Sequence, residues 1–125
     1  MTIIYKYIEV IQQILPLLNT IEEGILHTKH QLAELRYEQA LVMFQDVMEG
    51  IASIENAIYP MKNELPKNDI ESLFIALKEG INNAISSYEH SKETNIENQI
   101  SEEVLPAFLT WKQEMEKVLK PYAVS

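Results

Sequence analysis

No cysteine occurs in the sequence, which removes disulfides, thiol nucleophiles and thiolate metal sites together. A reducing compartment is compatible with that, and a cytoplasmic protein is the expectation. Basic residues are few: ten Lys and Arg stand against nineteen Asp and Glu, for a formal charge of −9. No basic patch is available to displace counterions from phosphate, so nucleic acid and anionic membrane surfaces are poor partners. The most apolar stretch, MTIIYKYIEVIQQILPLL, is interrupted by Lys6, Glu9, Gln12 and Gln13, and no small-residue cleavage site follows it. It reads as neither signal peptide nor transmembrane span. Glycine occurs three times only, and there is neither a Gly-rich phosphate loop nor an alternating β pattern.

What is present is helical patterning. The 125 residues, 46% apolar, suit one domain spanning 1–125 with a real core, and that apolar content makes disorder a poor reading. From Ile4 to Leu35 one heptad register holds, with Ile4, Ile11, Leu18, Ile25 and Leu32 at a, and Tyr7, Ile14, Ile21, Thr28 and Leu35 at d. Pro16 falls at f, where it removes a hydrogen bond and crowds the preceding turn. The first helix therefore either kinks at Pro16 or breaks and restarts at Thr20, where Thr20 and Glu23 would form a capping box. The unbroken register favours the kink.

Leu35-Arg36-Tyr37 leaves room only for a tight reversal. The stretch from Tyr37 to Ile58 then carries an apolar arc that fills a, d, e and g, wide enough to demand two neighbours, and reads as the central post of a bundle. Tyr59-Pro60 ends it. Asn68 with Glu71 opens a third helix, running to about Ser91, with Ile70, Leu73, Phe74, Leu77, Ile81, Ala84, Ile85 and Tyr88 inward. Thr94 with Glu97 makes a second capping box before the last helix, whose inward residues are Ile100, Val104, Ala107, Phe108, Trp111, Met115 and Val118. Pro106 predicts a second kink, and Pro121 a stop. The fold class is all-α: an antiparallel up-down four-helix bundle, its first helix long and kinked or broken at Pro16.

The three glycines all sit in Glu-Gly-Ile: Glu23-Gly24-Ile25, Glu49-Gly50-Ile51 and Glu79-Gly80-Ile81. Each costs about 1 kcal/mol in a helix interior, and close packing is the offset to expect. Counting from the turns puts Gly24, Gly50, Gly80 and Ala107 near one level, where the axes should close to a narrow waist.

For chemistry, the best metal-like cluster is Glu23, His27, His30 and Glu34, one stripe at spacings of four, three and four. It occupies c and f, facing solvent, and no other helix supplies the Glu-x-x-His that inward di-metal bundles use. It reads as a solvated polar face, so no metal or other cofactor is implied. His90 stands near a helix end, where a positive charge suits the dipole. Ser53, Ser86, Ser87 and Ser91 have no His with an orienting acid at a recognisable spacing, and Trp111 reads as a core anchor. An enzyme is not expected.

The stretches YEQALVMFQDVMEGIASI and SEEVLPAFLTWKQEM, with the EGI before the first turn, resemble a family of small, uncharacterised bacterial all-helical proteins. That resemblance spans most of the chain and implies no catalytic residues. A looser likeness, in length, acidity and the FLTWKQ segment, is to flagellar export chaperones, small acidic four-helix proteins that wrap a substrate's helical tail. The expected function is non-enzymatic: protein–protein interaction by self-association, as a homo-dimer, or by chaperone-like or adaptor-like binding of a partner helix. The alternative is a metal-binding bundle using the His/Glu stripe. From Ile3 to Leu18 the first helix is apolar at e and g as well, and past Pro16 that breadth vanishes. The surplus face, Ile8, Val10, Leu15 and Leu17, is the expected docking surface.

Overall fold

A heptad pattern forms helices because it lets each segment bury one stripe, and that holds along the whole chain. The computed structural model describes residues 3–90 and 93–123; the side chains of residues 3, 4, 93 and 94 lie outside that description. A 3-10 helix, Ile3–Tyr7, leads into α1 (Ile8–Ala33). After α2 (Tyr37–Ile58) comes a second 3-10 helix, Tyr59–Glu64, and then α3 (Ile70–Glu89). The last helix is composite: α4 (Glu93–Gln99) passes through a π-helical turn, Ile100–Val104, into α5 (Leu105–Ala123). The protein is thus made of four helices, with no strand among the described residues.

The predicted stripes are the core. In α1 Ile11, Ile14, Leu18, Ile21, Ile25, Thr28 and Leu32 are buried, and in α2 Ala40, Phe44, Val47, Ile51, Ile54 and Ile58. Thr28 is tolerated inside because its Oγ1 donates to the Gly24 carbonyl at 2.8 Å. Periodicity missed Met61, Ile96 and Leu119, which are also buried.

The reversal between α1 and α2 is made by backbone alone. Leu35 N–H donates to the Leu32 carbonyl (3.0 Å) and Arg36 N–H to the Gln31 carbonyl (2.8 Å), the paired bonds of a Schellman ending. It places Leu35 in the left-handed region at φ 61°, where glycine is the usual residue. At α3 the cap sits one residue later than predicted, at Asp69. Asn68 still serves the start, its Oδ1 accepting from the Ile70 N–H at 2.9 Å.

Prolines behave less simply than their positions suggest. α1 runs unbroken through Pro16, so the restart at Thr20 does not occur; Thr20 Oγ1 instead reaches back to the Pro16 carbonyl at 3.4 Å. Before Pro106 the chain widens into the π turn, with Leu105 N–H bonding to the Ile100 carbonyl. That wider turn gives the proline ring room against the carbonyl it would otherwise strike. Pro121 does not stop α5, which continues to Ala123; its carbonyl takes a hydrogen bond from Gln12 Nε2 at 3.1 Å. The capping box read at Thr94 falls outside the described side chains.

Pairwise contacts set the packing. α1 and α2 run antiparallel, Gly24 lying against Val47 and Gly50 against Ile21. α1 and α5 do the same, fastened by Lys112 Nζ and Glu22 Oε1 at 2.7 Å, a pair with both side chains largely covered. α3 follows α5 and α4 in the opposite sense, from Phe74 beside Trp111 to Ser87 bonded to Gln99 at 2.6 Å. α1, not α2, therefore holds the centre: it packs on α2, α4 and α5, whereas α2 has α1 as its one close helical neighbour. The wide arc of α2 is covered only along a and d, leaving Met43, Met48 and Ala57 half-buried and Leu41 exposed.

The single glycine level is also corrected. Gly24 and Gly50 share the α1–α2 seam, but Gly80 meets the backbone of Glu103 at 3.5 Å rather than Ala107. Glu103 lies about two and a half turns before Lys112 on the composite helix, which puts Gly80 roughly 10 Å from the level of Gly24. Glu103 lies in the π turn, whose backbone and Cβ come against α3 at this point, and Gly80 admits them.

Candidate functional site

The polar stripe of α1 stays in solvent. Glu23, His27, His30 and Glu34 are all exposed, and one pair meets: His30 Nε2 is 3.4 Å from Glu34 Oε1, which Arg36 Nε also approaches at 3.6 Å. Among the described residues no three His, Asp or Glu side chains converge as metal ligands would. At the far end of α3, Ser86 Oγ stands 3.5 Å from His90 Nδ1, but that nitrogen lies 2.7 Å from the Ser86 carbonyl. A carbonyl can only accept, so Nδ1 carries a proton and cannot act as base toward Ser86. A small polar cavity of about 220 Å³ adjoins this pair, between α3 and α4.

The predicted docking face is divided. Ile8, Val10, Leu15 and Leu17 are each half-buried, and Val10, Leu15 and Leu17 pack their inner sides against the protein's own core. Among the described residues no helix is long and apolar enough to cross a membrane.

A larger feature lies where two helices fail to meet. α2 and α3 share no packed seam; the eleven residues 59–69 join them. The gap is an open-sided cleft of about 600 Å³. Its walls are the C-terminal turn of α2 at Glu55 and Ile58, the connection from Tyr59 through Leu65 and Asn68, and one face of α3 at Ile70, Phe74, Ile75 and Lys78. Trp111 of α5 reaches its floor. The indole is held between two rings, with Phe74 centred 5.7 Å away at 38° and Phe108 5.9 Å away at 58°. Such tilted pairs favour a fixed ring.

Two observations separate this cleft from ordinary surface. Trp111 is 1% exposed, yet its Nε1 has no hydrogen-bond acceptor among the described residues; a buried donor left so costs about 1–3 kcal/mol. At the lip, Tyr59 and Ile75 are large apolar side chains 63% and 59% exposed. Around them stand Lys62, Lys67 and Lys78, facing Glu55 and Glu71. Lys62 lies over the Tyr59 ring at 4.7 Å and 3.9 Å from Glu71; Lys78 lies over Phe74 at 5.7 Å.

Periodicity read Trp111, Phe74 and Ile58 as core; Trp111 and Ile58 are buried and Phe74 is half-buried against them, and the reading missed that all three border a gap. The available signal was the placing of Lys62 and Lys67 within a proline-marked connection, and Lys78 in the helix after it, in an otherwise acidic chain. No curated protein and no solved structure matches the chain. A family model matches residues 9–114, nearly the whole of the helical core just described. The chain therefore belongs to that family, described as a domain of unknown function (DUF8042).

Proposed function

We propose that the protein is a non-enzymatic, cytoplasmic four-helix bundle of up-down order, bent at Pro16, that works by binding a helix of another protein, as a chaperone or adaptor does. The observation that carries this is the missing α2–α3 seam. A bundle whose own helices leave a groove of mixed apolar and charged lining beside an intact core offers a place for one more helix, the helix-in-groove mode of recognition. The floor of that groove is a rigid aromatic, Trp111 between Phe74 and Phe108, the residue type that dominates binding energy at interfaces. The half-buried face of Ile8, Val10, Leu15 and Leu17 supplies a second apolar surface, through which two copies would associate.

Site-specific photo-crosslinking in the native cell tests the reading. Benzoylphenylalanine placed at Ile75, at Ile8 and, for comparison, at the exposed Glu38 should give adducts at Ile75 with a helical segment of one other protein. An adduct at Ile8 with this chain's own peptides would mark self-association. If neither position yields more than Glu38 does, the protein does not work through these surfaces.

A further inference from the structure

The cleft between α2 and α3 is opposite in charge to the molecule that contains it. Three of the ten basic residues stand around it, against two of the nineteen acidic ones. Glu71 is engaged with Lys62 at 3.9 Å, and Glu114, near the start of α3, accepts from the Asp69 N–H at 2.9 Å and lies beside Lys117. Lys67 and Lys78 have no carboxylate within ion-pair distance among the described residues. Long side chains of this kind lay their stems over apolar surface and keep the ammonium at the edge, as Lys78 does over Phe74. With Glu55 the one carboxylate of the lining outside an ion pair among the described residues, the groove has an apolar floor and a rim with a net excess of one lysine.

We propose that this cleft receives an acidic amphipathic helix of a partner protein, about three turns long. The proposal rests on the reading that the protein docks a partner's helix, and adds that helix's chemistry. Its length follows from the groove, which runs along α3 from Ile70 to Lys78, roughly 12 Å at 1.5 Å per residue, with Asn68 before the helix extending it by part of a further turn. An apolar stripe covers Ile58, Ile70, Phe74 and Trp111, with flanking Glu or Asp meeting Lys62, Lys67 and Lys78. At physiological salt the screening length is about 8 Å, so an occupant in the groove senses the local lysines more than the distant acidic faces.

Three stapled fourteen-residue helices test this, sharing one leucine stripe and differing only in their flanks: all Glu, all Gln or all Lys, with no tryptophan. Trp111, the only tryptophan of the chain, reports occupancy by its emission. The Glu helix should bind at least tenfold more tightly than the Lys helix at 0.15 M salt, and the gap should close at 0.5 M. Lys67→Glu with Lys78→Glu, both exposed and checked for an unchanged helical spectrum, should reverse the order. If the Lys helix binds equally or better with the same emission change, the charge assignment is wrong while helix docking stands. If none of the three moves the Trp111 emission, the cleft docks no helix and both readings of it fall.

Discussion

Replacing each glycine by alanine should split three identical tripeptides into three outcomes. In a helix interior alanine is favoured over glycine by about 1 kcal/mol, so a site with room gains about that much. At Gly80 an added Cβ meets the Glu103 backbone at 3.5 Å and its Cβ at 3.6 Å, ordinary contact distances. Gly80→Ala should therefore stabilise by about 0.5–1 kcal/mol. At Gly24 the new Cβ stands 2.9 Å from Cγ2 of Val47. Val47 is buried and, being β-branched in a helix, is held to one rotamer, so α2 itself must move. Overpacking of about 1–3 kcal/mol outweighs the propensity gain, and Gly24→Ala should destabilise by about 1 kcal/mol. Gly50→Ala meets Cγ1 and Cδ1 of Ile21 at 3.0 Å and should fall between the two. Gly50→Leu should cost about 1–3 kcal/mol outright. Urea unfolding followed by Trp111 fluorescence resolves these: with slopes of about 1–3 kcal/mol per molar for small proteins, 1 kcal/mol moves the midpoint by about 0.3–1 M. Equal shifts at all three glycines, or a stabilised Gly24→Ala, would show that α1 and α2 are not in close contact there.

Leu35→Gly should stabilise by about 1 kcal/mol, since it relieves a left-handed residue that is 70% exposed and loses few contacts; Leu35→Ala, which keeps the strain, should not, and equal midpoints for the two would refute the strain. Tyr88→Phe should raise stability by about 1 kcal/mol, because the buried Tyr88 hydroxyl has no partner among the described residues, and a lower midpoint would mean the hydroxyl is satisfied. Burial also raises the Tyr88 pKa above its ordinary 10.0. The unfolded chain therefore ionises first, and the stability of the parent should fall as pH rises past 10; Tyr88→Phe should flatten that decline in pH-dependent urea titrations. His27→Ala with His30→Ala should leave stability within about 1 kcal/mol, as exposed sites do; a large zinc-induced rise in the parent's melting temperature, lost in the double variant, would show a metal site instead.

An open groove beside a complete core also bears on how this protein tolerates change. Tyr59, Ile75 and Lys67 are exposed, and substitutions there should be nearly neutral for folding, as surface changes are. Those at Phe74 and Trp111 serve core and groove at once. A loss of binding there is informative only beside an intact unfolding transition.

Local pattern determined the helices and their inner faces, because burial of a stripe depends on spacing alone. Ile11, Ile14, Leu18, Ile21, Ile25 and Leu32 are buried where the a and d positions put them, and the exposure of Glu23, His27, His30 and Glu34 follows from the same register. The tight reversal at Leu35 was legible too, since a chain with no spare residues must turn there. What tertiary structure decided was which stripes face which. The breadth of α2 suggested two neighbours, but breadth states only how much apolar surface exists, not whether the long connection after Ile58 brings α3 close enough to cover it. It does not, and the cleft is the result. The π turn before Pro106 is likewise invisible to spacing, and so is its packing against α3, with Gly80 at the Glu103 contact. Ile8, Val10, Leu15 and Leu17 end half-buried for the same reason: a sequence specifies how apolar a face is, and only the packed partners determine how much of it remains.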